Sequence, residues 1–255
     1  MIKFFRKIRQ KLLSENKFSK YLLYAIGEII LVVIGIFIAI QLNDLNEDRK
    51  QQNKENEYYC KLLEDVQQDL IQIDTLIIES EKRIIASNQL LSLLQEENLN
   101  SALIANKMLD AISLVTYTFK PNIAAFEDIK SSGNLATIKD NKIKSQLIEY
   151  YSTIEGIVDV VDINADGTVT RFYDKSNYVK VGWHQIDLVK NAIDSVMVDK
   201  SKLDKYIEFN DDYKSKLTSD AVYFIGSSAR IKMLYKILKE DIVKMKIELE
   251  NKCSR

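Results

Sequence analysis

The residues with the clearest potential for chemistry lie in one segment, DINADGTVTRFYD, at residues 162–174. Oxygen-bearing side chains at positions 1, 3 and 5 and Gly167 at position 6 follow the pattern of a calcium-binding loop. With a backbone carbonyl at position 7, the candidate metal ligands are Asp162, Asn164, Asp166 and Thr168. The bidentate acid of position 12 is missing, because Tyr173 occupies that place and Asp174 comes one residue late.

A helix through the same segment is the competing interpretation. The apolar residues at 154, 157, 161 and 165 continue to Val169 and Phe172 at helical spacing. Gly167 would cost such a helix only about 1 kcal/mol. The sequence leaves the helix and the calcium loop both open, and apart from calcium we expect no cofactor.

Catalytic signatures are otherwise sparse. His184 is the only histidine, which excludes sites with several histidine ligands and makes it the only candidate for a histidine-dependent triad. Neither a G-x-S-x-G motif nor a phosphate-binding loop is present. His184 follows Trp183 in an irregular stretch, where a surface or capping role is favoured over catalysis. We therefore predict a non-enzymatic protein, with an enzyme of unrecognised site as an alternative.

The elements that position these residues are predicted to be helices. Only 7 glycines and 1 proline occur in 255 residues, which favours long helices over a sheet with many turns. Apolar stripes predict helices at about 47–96, 102–115, 122–131, 143–165 and 219–251, with weaker signals at 186–198 and 201–217. The predicted fold class is all-α, an N-terminal transmembrane helix followed by an antiparallel bundle of long helices.

Residues 21–42, YLLYAIGEIILVVIGIFIAIQL, predict the transmembrane helix. These 22 residues reach about 33 Å, which matches a hydrocarbon core of about 30 Å. Residues 1–20 carry seven basic residues and one acidic residue, so we expect the N-terminus in the cytosol. No small-x-small cleavage pattern follows the apolar run, which favours an uncleaved anchor. The outer helical domain is then 43–255.

The basic segment 1–20 has a pattern of its own. Met1, Phe5, Ile8 and Leu12 recur at helical spacing with Lys and Arg between them. This favours an amphipathic helix on the anionic cytosolic surface of the lipid bilayer. A disordered basic tail that only sets the topology is the alternative.

Glu28 is the only charged residue of the apolar segment. A carboxylate in hydrocarbon is costly and usually faces a partner or a water-filled cavity. Gly35 and Ala39 share its helix face, and small residues let a second helix approach closely. This face predicts contact with a second copy or with another membrane protein. The alternative is that Glu28 lies shallow enough to reach the cytosolic headgroups.

The outer domain is mildly acidic, with 29 basic and 35 acidic residues. Because binding to phosphates needs a basic face, we do not expect a nucleic-acid partner. Cys60 and Cys253 lie near the two ends of this domain. They can form a bridge if the last helix packs beside the first, and two free thiols are the alternative.

Two stretches resemble a known family. The opening FFRKIRQKLLSENKFSKYLLYAIGEIILVVIGIFIAIQLND resembles the start of uncharacterised single-pass membrane proteins from Bacteroidota. FEDIKSSGNLATIKDNKIKSQLIEYY resembles their second hallmark, a helix–Ser-Gly-Asn-Leu–helix unit. The residues of this chain that carry the motif are Pro121, Phe126, Gly133, Asn134 and Leu135. The resemblance implies a periplasmic outer domain and implies no activity.

The predicted function combines these observations. We expect a protein of the bacterial inner membrane with a cytosolic N-terminus and a periplasmic helical domain that acts in protein or ligand interaction or as a scaffold. The expected partners are the lipid bilayer and either a second copy or another membrane or periplasmic protein. A calcium-binding periplasmic sensor is the alternative function that rests on residues 162–174 alone.

Overall fold

The computed structural model describes residues 18–112, 118–173 and 178–253. These residues form seven α-helices and no β-strand, which confirms the predicted all-α class. The helices are α1 (Phe18–Leu93), α2 (Ser101–Ile112), α3 (Ala124–Ser131), α4 (Asn141–Tyr173), α5 (Asp187–Lys190), α6 (Lys200–Asp204) and α7 (Asp211–Glu250). The chain divides into two compact units, Met1–Glu55 and Asn56–Arg255.

The first unit contains the apolar start of α1. The large apolar side chains from Leu22 to Leu42 that the structure describes are exposed. An 18-residue window of α1 has a mean hydropathy of 2.6 with none of it buried. Among the described residues, α1 is the one helix long and apolar enough to cross a membrane. The predicted amphipathic helix of segment 1–20 lies almost entirely outside the described residues.

Helix starts follow local capping chemistry. The Asp140 side chain accepts hydrogen bonds from the backbone N–H groups of Lys142 (2.9 Å) and Ile143 (3.2 Å) at the start of α4. Asn210 accepts one from Tyr213 N–H at 2.9 Å and starts α7, well before the predicted residue 219. Residues 186–198, predicted as a helix, contain only the single helical turn α5, followed by two further turns.

The second unit is a bundle in which α7 runs antiparallel to both α1 and α4. Ion pairs between α1 and α7 join Asp74 to Lys239 at 2.6 Å and Glu81 to Lys232, so one helix ascends as the other descends. The end of α4 meets the start of α7 through Arg171 and Asp220 at 3.4 Å. Helices α1 and α4 are therefore parallel, because α2 and the segment 118–138 return the chain between them.

Two apolar clusters form the core of the bundle. The first surrounds fully buried side chains such as Leu62, Ile73, Leu147 and Leu238. The second surrounds Leu90, Ile104, Phe172 and Phe224. Polar residues lie at the levels between them, including Ser80, Arg83, Thr168, Ser227 and Ser228. Hydrogen bonds satisfy this layer, such as the one between the Thr168 and Ser227 hydroxyl oxygens at 3.0 Å.

A disulfide joins the first and last helices of the bundle at the same end. Cys60 and Cys253 are bonded, with their Cα atoms 4.9 Å apart and a sequence separation of 193. Beside the bridge, Lys252 Nζ contacts the Asp140 carboxylate at 2.8 Å. Of the two alternatives left open by the sequence, the structure has the bridge, because α7 returns to the start of the bundle.

Candidate functional site

An extended segment, residues 118–123, crosses α1 ahead of α3 and is held there by side chains of that helix. Lys120 N–H donates to Gln72 Oε1 (2.7 Å). Asn122 N–H donates to Asp69 Oδ1 (2.8 Å), and the N–H of Ala125, in the first turn of α3, donates to Asp65 Oδ2 (3.0 Å). The acceptors are spaced four and three residues apart and therefore share one face of α1.

Asp69 is the most unusual group of this face. It is fully buried, and burial raises its pKa to about 6 although the hydrogen bonds from the Asn122 backbone and side chain lower it. Its Oδ2 atom and the hydroxyls of Tyr150 and Tyr151 are buried and have no hydrogen-bond partner among the described residues. Burial raises the pKa of both tyrosines, and the Asp69 and Asp65 carboxylates raise it further. A polar cluster thus lies between α1 and α4.

An open groove lies beside this cluster, between the segment that includes α3 and the exposed face of α4. Its walls are mostly apolar, and its lining residues are Pro121, Ile123, Phe126, Glu127, Lys130, Leu135, Ile148, Tyr151, Ser152, Ile154 and Glu155. The Phe126 ring stacks on the Tyr151 ring with centroids 4.1 Å apart. Ile123 and Ile148 are 44% and 49% exposed, which leaves apolar surface open to a ligand.

The five residues of the resemblance motif are placed around this groove. Pro121, Phe126 and Leu135 line it. Gly133 adopts φ +68 just after α3, the left-handed conformation that favours glycine at the end of a helix. Asn134 Nδ2 donates to the Tyr58 hydroxyl oxygen at 2.9 Å and so joins the turn to α1. The motif therefore shapes one wall of the groove and the turn that supports it.

The candidate calcium ligands lie on α4, and the chain follows the helical alternative through Tyr173. Asn164 Nδ2 donates to the Val160 carbonyl at 2.6 Å, and the Thr168 hydroxyl donates to the Asn164 carbonyl at 3.0 Å. Residues 162 and 166 share one helix face, while 164 and 168 lie about 200° away. The structure does not bring the four side chains together. Within the described residues, no three His, Cys, Asp or Glu side chains form a group that could hold a metal ion.

Gly167→Ala tests the helical path. A methyl group there would lie 2.7 Å from the Tyr223 hydroxyl, the far end of a flexible side chain. The new methyl group would displace the Tyr223 side chain, and a gain of about 1 kcal/mol in helix propensity offsets the cost of that movement. The stability should therefore stay within about 1 kcal/mol of wild type. Urea unfolding is the measurement, and Gly156→Ala, with no atom within 4 Å of the new methyl group, is the control. A calcium titration heat that the wild type shows and Gly167→Ala loses would contradict the helix, because the loop needs glycine there.

His184 is buried, not a surface or capping residue as the sequence suggested. Its Nε2 atom lies 2.8 Å from Asp204 Oδ1, which also accepts a hydrogen bond from Gln185 Nε2 at 2.8 Å. Both bonds lower the pKa of Asp204, and the bond with His184 has the larger effect. Gln185 Oε1 in turn accepts from the Ser101 hydroxyl at 2.7 Å. The network connects the loop before α5 to the start of α2. The group next to the Ser101 hydroxyl is the Gln185 amide, which cannot act as the base that a nucleophilic serine needs.

The predicted membrane contact face lies on the exposed part of α1. Gly35 and Ala39 are exposed, and no atom lies within 4 Å of the place that a Gly35 Cβ would take. Glu28 is half-buried on the same helix. This face remains a predicted contact.

The fold and these sites define an all-α protein with an N-terminal helix apolar enough to span a membrane. The sequence model of one protein family, described as "Family of unknown function (DUF6090)", matches residues 28–165, more than half of the chain. The chain belongs to this family. The matched range begins at Glu28 and contains every residue that lines the groove. No curated protein and no solved structure matches the chain.

Proposed function

We propose that the protein is an uncleaved anchor of the bacterial inner membrane that presents a non-enzymatic binding module in the periplasm. The exposed apolar run of α1 supports the anchor, and the basic residues of 1–20 support a cytosolic N-terminus. The Cys60–Cys253 bridge supports an oxidising compartment for the bundle, as does the resemblance to Bacteroidota membrane proteins. The proposal assigns no metal and no reaction to the bundle.

The groove of residues 121–155 is the binding surface of this module. The observation that carries the proposal is an apolar groove beside a cluster of buried, partly unsatisfied polar groups. Such a combination of apolar walls and a few converging polar groups is characteristic of ligand sites. Asp69, with a pKa raised to about 6, belongs to that cluster.

The membrane helix supplies a second contact in this proposal. Glu28, Gly35 and Ala39 form the face through which α1 meets a second copy or another membrane protein in the bilayer.

Photocrosslinking in intact cells tests both contacts. A photoreactive residue at Ile148 in the groove, or at Ala39 in the membrane helix, is expected to give a discrete crosslinked species. Ile163 is the matched control for Ile148, since it is 72% exposed on α4 and outside the groove. Val33, on another face of the membrane helix, is the control for Ala39. Crosslinks that are absent at Ile148, or equal to those at Ile163, would contradict the groove as a binding surface.

A further inference from the structure

The shape and charge of the groove indicate which class of partner it binds. We infer that its occupant is an amphipathic polypeptide helix whose apolar face is flanked by lysine or arginine. This inference rests on the proposed function, because it names the class of partner for the same groove.

The wall that α4 contributes to the groove has the length of two helical turns. Ile148 and Glu155, which both line the groove, are seven residues apart on α4, and the groove wall therefore extends over about 10 Å. A partner helix presents side chains at i, i+3 or i+4, and i+7 over the same distance. Ile123 and Ile148 are half-exposed on opposite walls, and between them the groove is open to solvent. This open shape suits the side-chain ridge of a helix better than it suits a small molecule, which would need an enclosed site.

The rim of the groove is acidic. Glu127, Lys130 and Glu155 are its charged residues. Lys130 Nζ contacts Glu127 Oε1 at 3.7 Å, whereas Glu155 has no ion pair with any residue that the structure describes. Asp159 is exposed next to the rim, one turn beyond Glu155 on α4. The uncompensated charge near the apolar wall is therefore negative, and it favours a basic partner.

The negative charge of the rim also disfavours acidic apolar ligands such as fatty acids and anionic lipids. The carboxylate of a fatty acid or the phosphate of an anionic lipid would meet Glu155 and Asp159 at the rim and be repelled. An open groove would also leave much of an acyl chain in water, although ligand sites normally bury most of their ligand. A basic amphipathic helix satisfies both conditions, because its polar face can stay in solvent.

Fluorescence anisotropy tests the class of partner. The full chain is placed in nanodiscs of zwitterionic phosphatidylcholine, so that the lipid does not attract a basic peptide. The probes are a 15-residue amphipathic helix of Leu and Lys and its counterpart in which every Lys is Glu. We expect the Leu–Lys peptide to bind at least about tenfold more tightly than the Leu–Glu peptide, with binding that weakens as salt is added.

Three variants locate the binding. Ile148→Asp should lower the affinity for the Leu–Lys peptide about tenfold, because it removes an apolar contact at the centre of the wall. It also adds negative charge, so general attraction of a basic peptide to an acidic surface would give the opposite result. Glu155→Lys should lower the affinity several-fold. Ile163→Asp adds the same charge on α4 outside the groove and should leave the affinity at or slightly above wild type.

The outcomes that overturn the inference differ from those that overturn the proposed function. Tighter binding of the Leu–Glu peptide, binding of neither peptide, or equal losses in Ile148→Asp and Ile163→Asp would remove the basic helix as the occupant. In each of these cases a discrete crosslink from Ile148 in cells would still uphold the groove as a binding surface. Loss of that crosslink would remove the groove itself.

Discussion

Replacing Cys60 and Cys253 by serine is expected to lower the free energy of unfolding of the bundle by about 3–5 kcal/mol. The bridged cysteines have a sequence separation of 193, and long loops gain the most from a crosslink because it restricts the unfolded chain. It also ties the start of the bundle part of α1 to the last turn after α7. Without the bridge, the ends of both helices lose the constraint that holds them together.

Trp183 makes this loss measurable in the full chain. It is the only tryptophan and packs in the second apolar cluster, with its ring centroid 4.8 Å from that of Phe172. Its fluorescence therefore follows unfolding of the bundle, and not of the apolar part of α1. Urea midpoints of the double serine variant and of wild type with a reducing agent should agree and lie well below that of the oxidised wild type. Equal midpoints for the oxidised and reduced wild type would contradict the stabilising role.

The same cysteines report on the compartment of the bundle in cells. If the bundle lies in the periplasm, both thiols should resist alkylation until the sample is reduced. A bundle in the cytosol would have free thiols that react at once. Alkylation does not depend on the stability measurement. A reduced protein that stays as stable as the oxidised one would contradict the stabilising role of the bridge, whereas thiols that react at once would contradict the periplasmic location.

The long helices were predictable from the sequence because their signals are local. No glycine or proline lies between Gly35 and Leu93, and apolar residues recur at helical spacing over the second half of that range. The left-handed Gly133 and the Asp140 cap are likewise local, since both depend on residues within one turn. Helix starts were predicted less well. Asn210 and the acidic residues after it begin α7 earlier than its apolar stripe does.

The groove and its polar neighbours were not predictable, because they depend on contacts between distant residues. Asn122 meets Asp69 across 53 residues, and Asn134 meets Tyr58 across 76. No pattern in a single sequence pairs these residues. The parallel course of α1 and α4 has the same origin, since it depends on the path taken by α2 and the segment 118–138. One signal was present: the stretch FEDIKSSGNLATIKDNKIKSQLIEYY, which carries the resemblance, contains Phe126, Leu135 and Tyr151, and all three residues line the groove.

Asp69→Asn is expected to stabilise the bundle at pH 8 and to have little effect at pH 4. Burial raises the pKa of Asp69 to about 6 from an ordinary value of 3.8, so the folded protein holds this proton more tightly than the unfolded chain does. The favourable contribution of Asp69 is therefore complete below the unfolded pKa and is lost as the pH rises through the folded pKa. The loss amounts to about 3 kcal/mol when the carboxylate is fully ionised.

The asparagine removes this loss without removing the hydrogen bonds. Its carbonyl oxygen can still accept from the Asn122 backbone and side-chain N–H groups, both 2.8 Å from Asp69 Oδ1. Its amide group takes the place of Oδ2, the buried atom with no partner among the described residues. An uncharged amide costs less to bury at this place than an ionised carboxylate does.

Urea unfolding followed by Trp183 fluorescence between pH 4 and pH 8 measures the difference between Asp69→Asn and wild type. The difference should grow as the pH rises towards 6 and should level off above it. Asp65→Asn is the control, because it neutralises the neighbouring half-buried carboxylate on the same face of α1. Asp65→Asn should keep most of the wild-type pH dependence. A variant Asp69→Asn that follows wild type at every pH, or is less stable at pH 8, would show that the Asp69 carboxylate is accommodated without cost.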